Sequence, residues 1–235
     1  MTIAASFFES IANEKFIGIL TEEMPKAILE TLSVTVISTL IAFLIGLPLG
    51  VILVAGENNY VFKTPKWILT VIGFIINILR SVPFLILMIL VIPLTRSIVG
   101  KATGTAASVV PLSIAAFPFI ARLVEGSLRE VDRNVVEAAQ SMGANIWTII
   151  WKVMLAESRT SLLVNATIAL GTILGYSAMA GAVGGGGLGD IAIRYGYYRY
   201  QTDIMLVTVV LLILLVQLLQ YIGMTISKKL DKRIR

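Results

Sequence analysis

Long stretches without a charged side chain constrain this chain more than any other feature of its sequence. Four of them lie between charged residues: Glu30 to Glu57, Lys101 to Arg122, Arg159 to Asp190 and Asp203 to Lys228. Each is at least as long as the ~20 residues that an α-helix, rising 1.5 Å per residue, needs to cross the hydrocarbon core of a bilayer. The sequence therefore predicts a membrane protein built from spanning helices.

A fifth apolar stretch, from Trp67 to Thr95, contains Arg80. We therefore expect an all-α polytopic membrane protein with five transmembrane helices, near residues 29–55, 67–93, 102–122, 160–183 and 204–227. Residues 1–28 are predicted to be an external N-terminal lead-in, 123–159 a cytoplasmic loop within the 29–227 membrane domain, and 228–235 a basic tail. The composition agrees, because 14% charged residues are too few to cover a soluble globule of this length.

The chain contains neither cysteine nor histidine. Disulfides and the usual zinc, haem and thiol chemistry are therefore excluded, and no cofactor or metal site is predicted. The charge-free stretches also hold no acidic or histidine side chain that could act as an intramembrane base. An intramembrane enzyme is accordingly the least favoured function.

The distribution of basic residues predicts the orientation. Five spans place the two termini on opposite sides of the membrane. With the C-terminus inside, twelve of the 19 lysines and arginines fall in cytoplasmic segments, six in outer segments and Arg80 within a span. Cytoplasmic loops carry the excess of such residues, so we expect the N-terminus outside and the C-terminus in the cytoplasm.

The first thirty residues lack the basic start and small-residue cleavage site of a removed signal peptide. Apolar side chains could instead line one face of a short helix on the outer membrane surface, although a partly ordered lead-in is an equal alternative. The residues concerned are Phe8, Ile11, Ile19 and Leu20.

A glycine-rich segment, AMAGAVGGGGLGDI at residues 178–191, contains the spacing G-x-G-x-x-G at Gly184, Gly186 and Gly189. A dinucleotide site needs a preceding strand and a following helix, and the predicted orientation puts this segment outside, where there is no ATP. The segment is either a flexible external turn or a loop that needs close backbone approach or hinge motion beside a substrate entrance. The external-loop glycines are Gly184, Gly185, Gly186, Gly187 and Gly189. The tyrosines that follow, Tyr195, Tyr197, Tyr198 and Tyr200, are predicted to be interfacial anchors.

The cytoplasmic connection between the third and fourth spans is much longer than a turn requires. Asn134, followed three residues later by Glu137, predicts a helix N-cap with a capping box, and Gly143 is placed to end that helix in a left-handed conformation. Asn145 is a candidate cap for a second helix, which would present Ile146, Ile149, Ile150 and Val153 along one side. Ala138 and Ala139 would let another surface approach the first helix closely. The alternative is a surface hairpin packed on the span ends.

Several stretches give the chain a specific resemblance to the inner-membrane permease subunits of ABC importers, and among these to the methionine-importer (MetI) type. Glu137-Ala138-Ala139, Gly143-Ala144 and Val153-x-Leu155 resemble the EAA loop of such permeases. Further matching stretches are NILRSVPF at 77–84, PFIARLVE at 118–125, EAAQSMGA at 137–144 and GYSAMAGAVGGGGLG at 175–189. The chain has no G-x-x-x-x-G-K-[ST] motif, so another polypeptide must bind any ATP that is used.

This resemblance implies a homodimer in a bacterial inner membrane, with two cytoplasmic ATPase subunits and an external lipoprotein that delivers methionine; no nucleic acid is involved. It assigns coupling to the ATPase to Asn134, Glu137, Ala138, Ala139, Met142, Gly143 and Ala144. It also places Tyr176, Ser177 and Met179 in the segment that lines the gate.

Arg80 is the one charged residue that lies well inside a predicted span, and Pro83 follows it by about one turn. One hypothesis is that Arg80 lines the pathway and attracts a carboxylate. The other is that Arg80 is structural and bonds backbone carbonyls that the proline leaves without donors.

The rival function is a secondary transporter driven by an ion gradient. Such a protein would require buried Asp, Glu or His near broken helices and an internal repeat, and neither is visible in the sequence.

Overall fold

The computed structural model describes residues 14–57 and 60–230, and within these ranges the chain is helical with no strand. Phe8 and Ile11 of the predicted lead-in, like Lys232, Arg233 and Arg235 of the tail, lie outside the described residues.

The first helix, α1, runs from Phe16 to Ala55 and includes a π-helical segment at Ile19–Glu23. It begins well before residue 29, where the predicted span starts. The charges at Glu22, Glu23 and Lys26 interrupt the apolar stretch but do not stop helix formation, since Glu and Lys are good helix formers. Residues 16–28 are therefore a continuation of the spanning helix.

The second predicted span, 67–93, is wrong as a single helix. The structure has α2 at Lys66–Ser81, α3 at Phe84–Leu90 and α4 at Ile92–Val99. Val82 between α2 and α3 is extended, with φ −78° and ψ 125°. The break follows from Pro83, because proline has no N–H to donate and pushes the preceding residue out of the helical region.

The remaining long helices are α5 at Thr105–Arg129, α8 at Arg159–Ala180 and α10 at Thr202–Leu230. Helix α5 extends beyond residue 122, the predicted end of that span. Within the described residues, four helices are long and apolar enough to cross a membrane, and α2 with α3 makes five if this bent pair counts as one span.

Shorter helices connect these spans. They are α6 at Arg133–Ser141, α7 at 146–157 with a π-helical centre at Ile149–Met154, and α9 at 187–197, which is π-helical from Ala192 to Tyr197.

The helices divide into two compact units. Unit one comprises residues up to Ser38, Phe84–Leu112 and Gly171–Leu218. Its core joins the start of α1 to α9 and the start of α10, through Phe16, Met24, Leu188, Ile191 and Ile204.

Unit two comprises Thr39–Pro83, Ser113–Leu170 and the chain from Leu219 onward. Leu53 of α1, Ile76 of α2 and Ala121 of α5 form one core cluster there. The backbones of α1 and α5 lie so close that a Cβ added at Gly50 would stand 2.7 Å from Val124 Cβ. A larger residue at position 50 would therefore force these two helices apart.

Candidate functional site

The predicted loop between the third and fourth spans is a helical hairpin made of α6, a corner and α7. We call residues 133–157 the loop hairpin. Its first cap differs from the prediction: Asp132 is the N-cap of α6, and its side chain accepts a hydrogen bond from the backbone N–H of Asn134 at 2.9 Å. Asn134 is thus the second residue of the helix, and the proposed capping box of Asn134 with Glu137 is wrong.

The corner at Gly143 has the predicted left-handed conformation, with φ +77°. The N–H of Gly143 donates to the carbonyl of Gln140 at 2.9 Å, and that of Ala144 donates to the carbonyl of Ala139 at 3.0 Å. These two bonds make a Schellman motif, which satisfies carbonyls at the end of α6. The corner is therefore specified by a residue that can hold a positive φ without strain.

Helix α7 begins at the predicted cap. The side chain of Asn145 accepts a hydrogen bond from the N–H of Thr148 at 2.8 Å. The predicted apolar side of this helix is only partly buried. Ile149 and Ile150 are buried, whereas Ile146 is 45% exposed. Met154, which is completely buried, belongs to the packed face instead, because the π-helical segment alters the spacing of that face.

The outer face of the loop hairpin is largely open. Glu137, Ala138 and Gly143 are exposed, and Met142 is 82% exposed. Ala139 corrects the expectation for the alanine pair, because it is 6% exposed and packs within its own chain. Only Ala138 presents a small side chain to an approaching surface.

The loop hairpin is tied to the connection between α1 and α2. The side-chain amide of Gln140 donates to the carbonyl of Tyr60 at 2.7 Å, and the guanidinium of Arg133 lies 5.5 Å from the centre of the Tyr60 ring. Burial raises the pKa of the Tyr60 hydroxyl, although the charge of Arg133 opposes this increase. Tyr60 therefore contacts α6 through both its ring and its backbone carbonyl.

Unit two also contains a network of charged side chains that the sequence analysis did not predict. Glu125 is 8% exposed and bonds Arg122 Nη1 at 2.6 Å and Arg129 Nη2 at 2.9 Å. Arg129 also contacts Glu57 at 2.8 Å, and Arg122 Nη2 donates to Asn77 Oδ1 at 2.9 Å. The network joins α2, α5 and the end of α1. Its only trace in the sequence is the i, i+3 and i, i+4 spacing of the charges on α5.

The glycine-rich segment in unit one is closely packed, so the prediction of a flexible turn is wrong. The N–H of Gly187 donates to Glu30 Oε2 at 2.8 Å, and the N–H of Leu188 donates to Thr31 Oγ1 at 2.9 Å. Ser108 Oγ bonds the carbonyl of Gly185 at 3.1 Å. The other interpretation, that the backbone of this segment must come close to a neighbouring group, describes the loop better. The neighbouring groups belong to the same chain.

Glycine is required here for two reasons. Gly184, Gly186 and Gly187 have φ values of +77°, +74° and +73°. A Cβ on Gly185 would lie 2.6 Å from Ser108 Oγ, and one on Gly189 would collide with the carbonyl of Ala178. No strand precedes the segment within the described residues, which excludes the dinucleotide fold.

The four tyrosines after this segment are not equivalent. Tyr195 is 6% exposed, and its hydroxyl donates to Glu23 Oε1 at 2.6 Å, which raises the pKa of Tyr195. It is therefore part of the core and not an interfacial anchor. Tyr197, Tyr198 and Tyr200 are 64%, 67% and 87% exposed, as the prediction of interfacial anchors requires.

The predicted pathway residues are distributed over both units. Arg80 lies exposed in the last turn of α2, and Pro83 follows the break. Within the described residues no hydrogen bond or ion pair holds Arg80, so the structure does not supply the backbone carbonyls that the structural hypothesis requires. In unit one, Tyr176 stacks on Phe84 at 4.7 Å with 5° between the rings, Ser177 is buried and Met179 is 49% exposed.

The described residues form long apolar helices, one broken helix pair and an exposed helical hairpin, an arrangement that suits the permease subunit of a transporter. The family model described as binding-protein-dependent transport system inner membrane component matches residues 46–235, and the chain belongs to this family.

Relatives within this family are similar over most of their length. The chain is 50% identical over 204 residues to the probable D-methionine transport system permease protein MetI of Vibrio cholerae, covering 87% of this chain and 90% of that one. It is 44% identical over 168 residues to the methionine import system permease protein MetP of Bacillus subtilis, covering 72% and 76%. Among solved structures, an inward-facing MetNI methionine ABC transporter matches with a TM-score of 0.86 and 41% identity, covering 90% of this chain and 100% of that one.

Proposed function

We propose that this chain forms the membrane pathway of an ATP-driven importer for methionine or a closely related small amino acid. It acts as a homodimer, coupled to two separate ATPase subunits. The observation that carries the proposal is the loop hairpin, whose inner face is buried against its own chain while Glu137, Ala138 and Met142 face outward. The named function of the relatives, methionine transport, supports the choice of substrate.

The loop hairpin is suited to receive force from a partner. A Schellman motif at the corner and two side-chain caps define its shape. A partner that binds α6 therefore moves the loop hairpin as one rigid element. The hydrogen bond of Gln140 to Tyr60 and the cation–π contact of Arg133 with the Tyr60 ring pass that motion to the connection between α1 and α2. Asn134, Ala139 and Ala144 contribute by holding this geometry, the first within α6 and the others at its end.

The exposed face of α2 supports a second copy and a pathway between the copies. Thr70, Asn77, Arg80 and Ser81 are exposed on α2, whose other residues after Lys66 are apolar. Polar and charged side chains inside a membrane face a cavity or a protein partner and not lipid. A homodimer that brings two such faces together encloses a polar route, in which Arg80 attracts the carboxylate of the amino acid.

The gate is formed in unit one by Tyr176, Ser177 and Met179 beside the packed glycine segment. With the C-terminus in the cytoplasm, the glycine segment lies on the outer side of the membrane, where a lipoprotein delivers the substrate. The excess of lysine and arginine in the segments assigned to the cytoplasm supports this orientation.

Uptake into proteoliposomes tests the proposal. Vesicles contain the purified chain, with or without the ATPase that co-purifies with it, together with internal ATP and no ion gradient. We expect methionine to accumulate only when both the ATPase and ATP are present. Uptake that follows an imposed proton or sodium gradient, without the ATPase, would establish the secondary transporter instead.

A further inference from the structure

Unit two contains an apolar groove that the proposed transport cycle does not use. The groove has a volume of about 400 Å³ and lies between α1, the α1–α2 connection and α7. Its lining is entirely apolar and includes Leu47, Pro48, Phe62, Trp147, Trp151 and Leu155. Trp147 and Trp151 at its rim are 71% and 61% exposed. This volume is within the range of about 300–1,000 Å³ that is typical of small-molecule sites.

The groove continues an exposed apolar strip of α1. Leu40 and Leu44 are 65% and 79% exposed, and Pro48 follows at the same four-residue spacing, so the three share one face of the helix. Leucine side chains on the surface of a spanning helix are suited to contact with acyl chains. The strip ends in the groove, so an acyl chain that lies along it could enter the groove.

Two basic residues are the sequence neighbours of residues that line the groove. Lys63 directly follows Phe62, and Lys152 directly follows Trp151; both lysines are exposed. No acidic residue belongs to the lining. Tryptophan and lysine together are typical of the level at which lipid headgroups lie, and basic residues at the cytoplasmic surface attract anionic headgroups.

We propose that the groove binds one anionic phospholipid, with an acyl chain between α1 and α7 and the phosphate held by Lys63 and Lys152. A lipid fits better than a protein partner because the groove is continuous with the exposed apolar strip of α1 and the neighbouring Lys63 and Lys152 have the charge that a phosphate requires. The bound lipid fills the space between α1 and α7 and so stabilises the position of α7 within the loop hairpin.

Tryptophan quenching by brominated lipid tests this site. The chain contains three tryptophans, so Trp67→Phe leaves only Trp147 and Trp151 as emitters. The full-length variant is reconstituted in phosphatidylcholine vesicles that contain increasing fractions of brominated phosphatidylglycerol or brominated phosphatidylcholine. We expect half of the fluorescence to be quenched at a lower fraction of brominated phosphatidylglycerol than of brominated phosphatidylcholine. The two fractions should differ by roughly fivefold for each lysine that contacts the phosphate, because each contact contributes about 1 kcal/mol.

The same measurement on two further variants distinguishes a specific lipid site from a general attraction between the basic protein and anionic lipid. Lys63→Gln with Lys152→Gln should abolish the preference for the anionic lipid, whereas Lys228→Gln with Lys229→Gln, which removes an equal charge elsewhere, should preserve it. Equal half-quenching by both lipids in the parent, or a preference that survives in the Lys63 and Lys152 variant, overturns the proposal. So does a lack of quenching by either lipid, because a second copy or a partner protein would then cover the groove.

Discussion

The carboxylate of Glu30 accepts a hydrogen bond from the backbone N–H of Gly187, although 157 residues separate the two in the chain. The next residue repeats the arrangement, since Thr31 bonds the N–H of Leu188. Two side chains of α1 thus satisfy the first N–H groups of α9, which have no partner within their own helix. The glycine segment is consequently held in place by the first helix.

We expect Glu30→Ala to destabilise unit one more than Glu30→Gln. Alanine leaves the partly buried N–H of Gly187 without an acceptor, a loss of about 1–3 kcal/mol, whereas glutamine keeps an acceptor oxygen. Thermal unfolding of the purified protein measures the difference. Glu22→Ala, at an exposed position on the same helix, is the matched control and should change little. Equal effects of the two Glu30 variants would contradict the role of this bond.

Alanine at Gly185 and Gly186 should impair transport while leaving the ATPase bound. A Cβ on Gly185 would lie 2.7 Å from the carbonyl oxygen of Ala180, and Gly186 has a φ of +74°, where alanine is strained by about 1–2 kcal/mol. Uptake and co-purification of the ATPase are measured together. Gly175→Ala, where an added Cβ meets nothing within 4 Å, is the control. Loss of the ATPase would contradict the membrane topology predicted from the sequence.

Gly143→Val should separate assembly from coupling. Gly143 has a φ of +77°, so alanine there costs on the order of 1 kcal/mol and a β-branched residue more, and the corner should tilt or unfold. The variant should reach the membrane as a dimer yet lose ATP-driven uptake, with its ATPase either dissociated or unresponsive to substrate. Gly126→Ala is the control, because that site has no positive φ and no neighbour within 4 Å of an added Cβ. Normal uptake by Gly143→Val with a normally bound ATPase would falsify the coupling role.

The cap of α6 offers a milder version of the same test. Asp132→Ala removes the acceptor for the N–H of Asn134 and should destabilise the loop hairpin by about 1 kcal/mol. Glu137→Ala removes no cap bond, so any loss of coupling in this variant reports a contact with the ATPase. Ala138→Leu should weaken ATPase binding by bulk. Circular dichroism at graded temperatures, compared with ATPase co-purification, distinguishes the two effects.

Glu125→Gln should destabilise unit two. It removes the one carboxylate that bonds both Arg122 and Arg129. Breaking a buried ion pair costs about 3–5 kcal/mol, and we expect about 1–3 here because Arg129 is half exposed to solvent. The melting temperature measures this loss. Glu130→Gln, at an exposed position five residues further on, should leave it unchanged. Similar melting temperatures for both variants would show that the network contributes little.

Arg80→Ala should slow transport more than it lowers assembly, because Arg80 has no bond to its own chain within the described residues. Arg96→Ala, which removes another exposed arginine from the last turn of a helix, is the control. If Arg80→Ala fails to insert or dimerise while the residual complexes transport at the normal rate, Arg80 is structural.

Local sequence signals predicted local geometry well. The charge-free stretches indicated the helical membrane fold, and Gly143 and Asn145 were identified because a left-handed glycine and an Asn cap depend only on neighbouring residues. Asp132 was missed because Asp and Asn are equally good caps, and the spacing of Asn134 to Glu137 imitates a capping box.

Contacts between distant segments could not be predicted. The bond of Glu30 to Gly187 and that of Arg122 to Asn77 join residues 157 and 45 positions apart, and nothing in one sequence pairs them. For the same reason the glycine segment resembled a flexible turn, since the side chains that pack against it come from α1 and α5.

The extended conformation of Val82 leaves backbone carbonyl groups without helical partners inside a membrane protein. The last carbonyl groups of α2 have no helical N–H to accept from, and in hydrocarbon each such group would cost several kcal/mol. These carbonyl groups therefore need water or a protein donor at the depth of this break, and we expect water. In a deuterium-exchange experiment, amides around Val82 should label quickly between two slowly exchanging helices, and the labelled position would show how far water penetrates the protein.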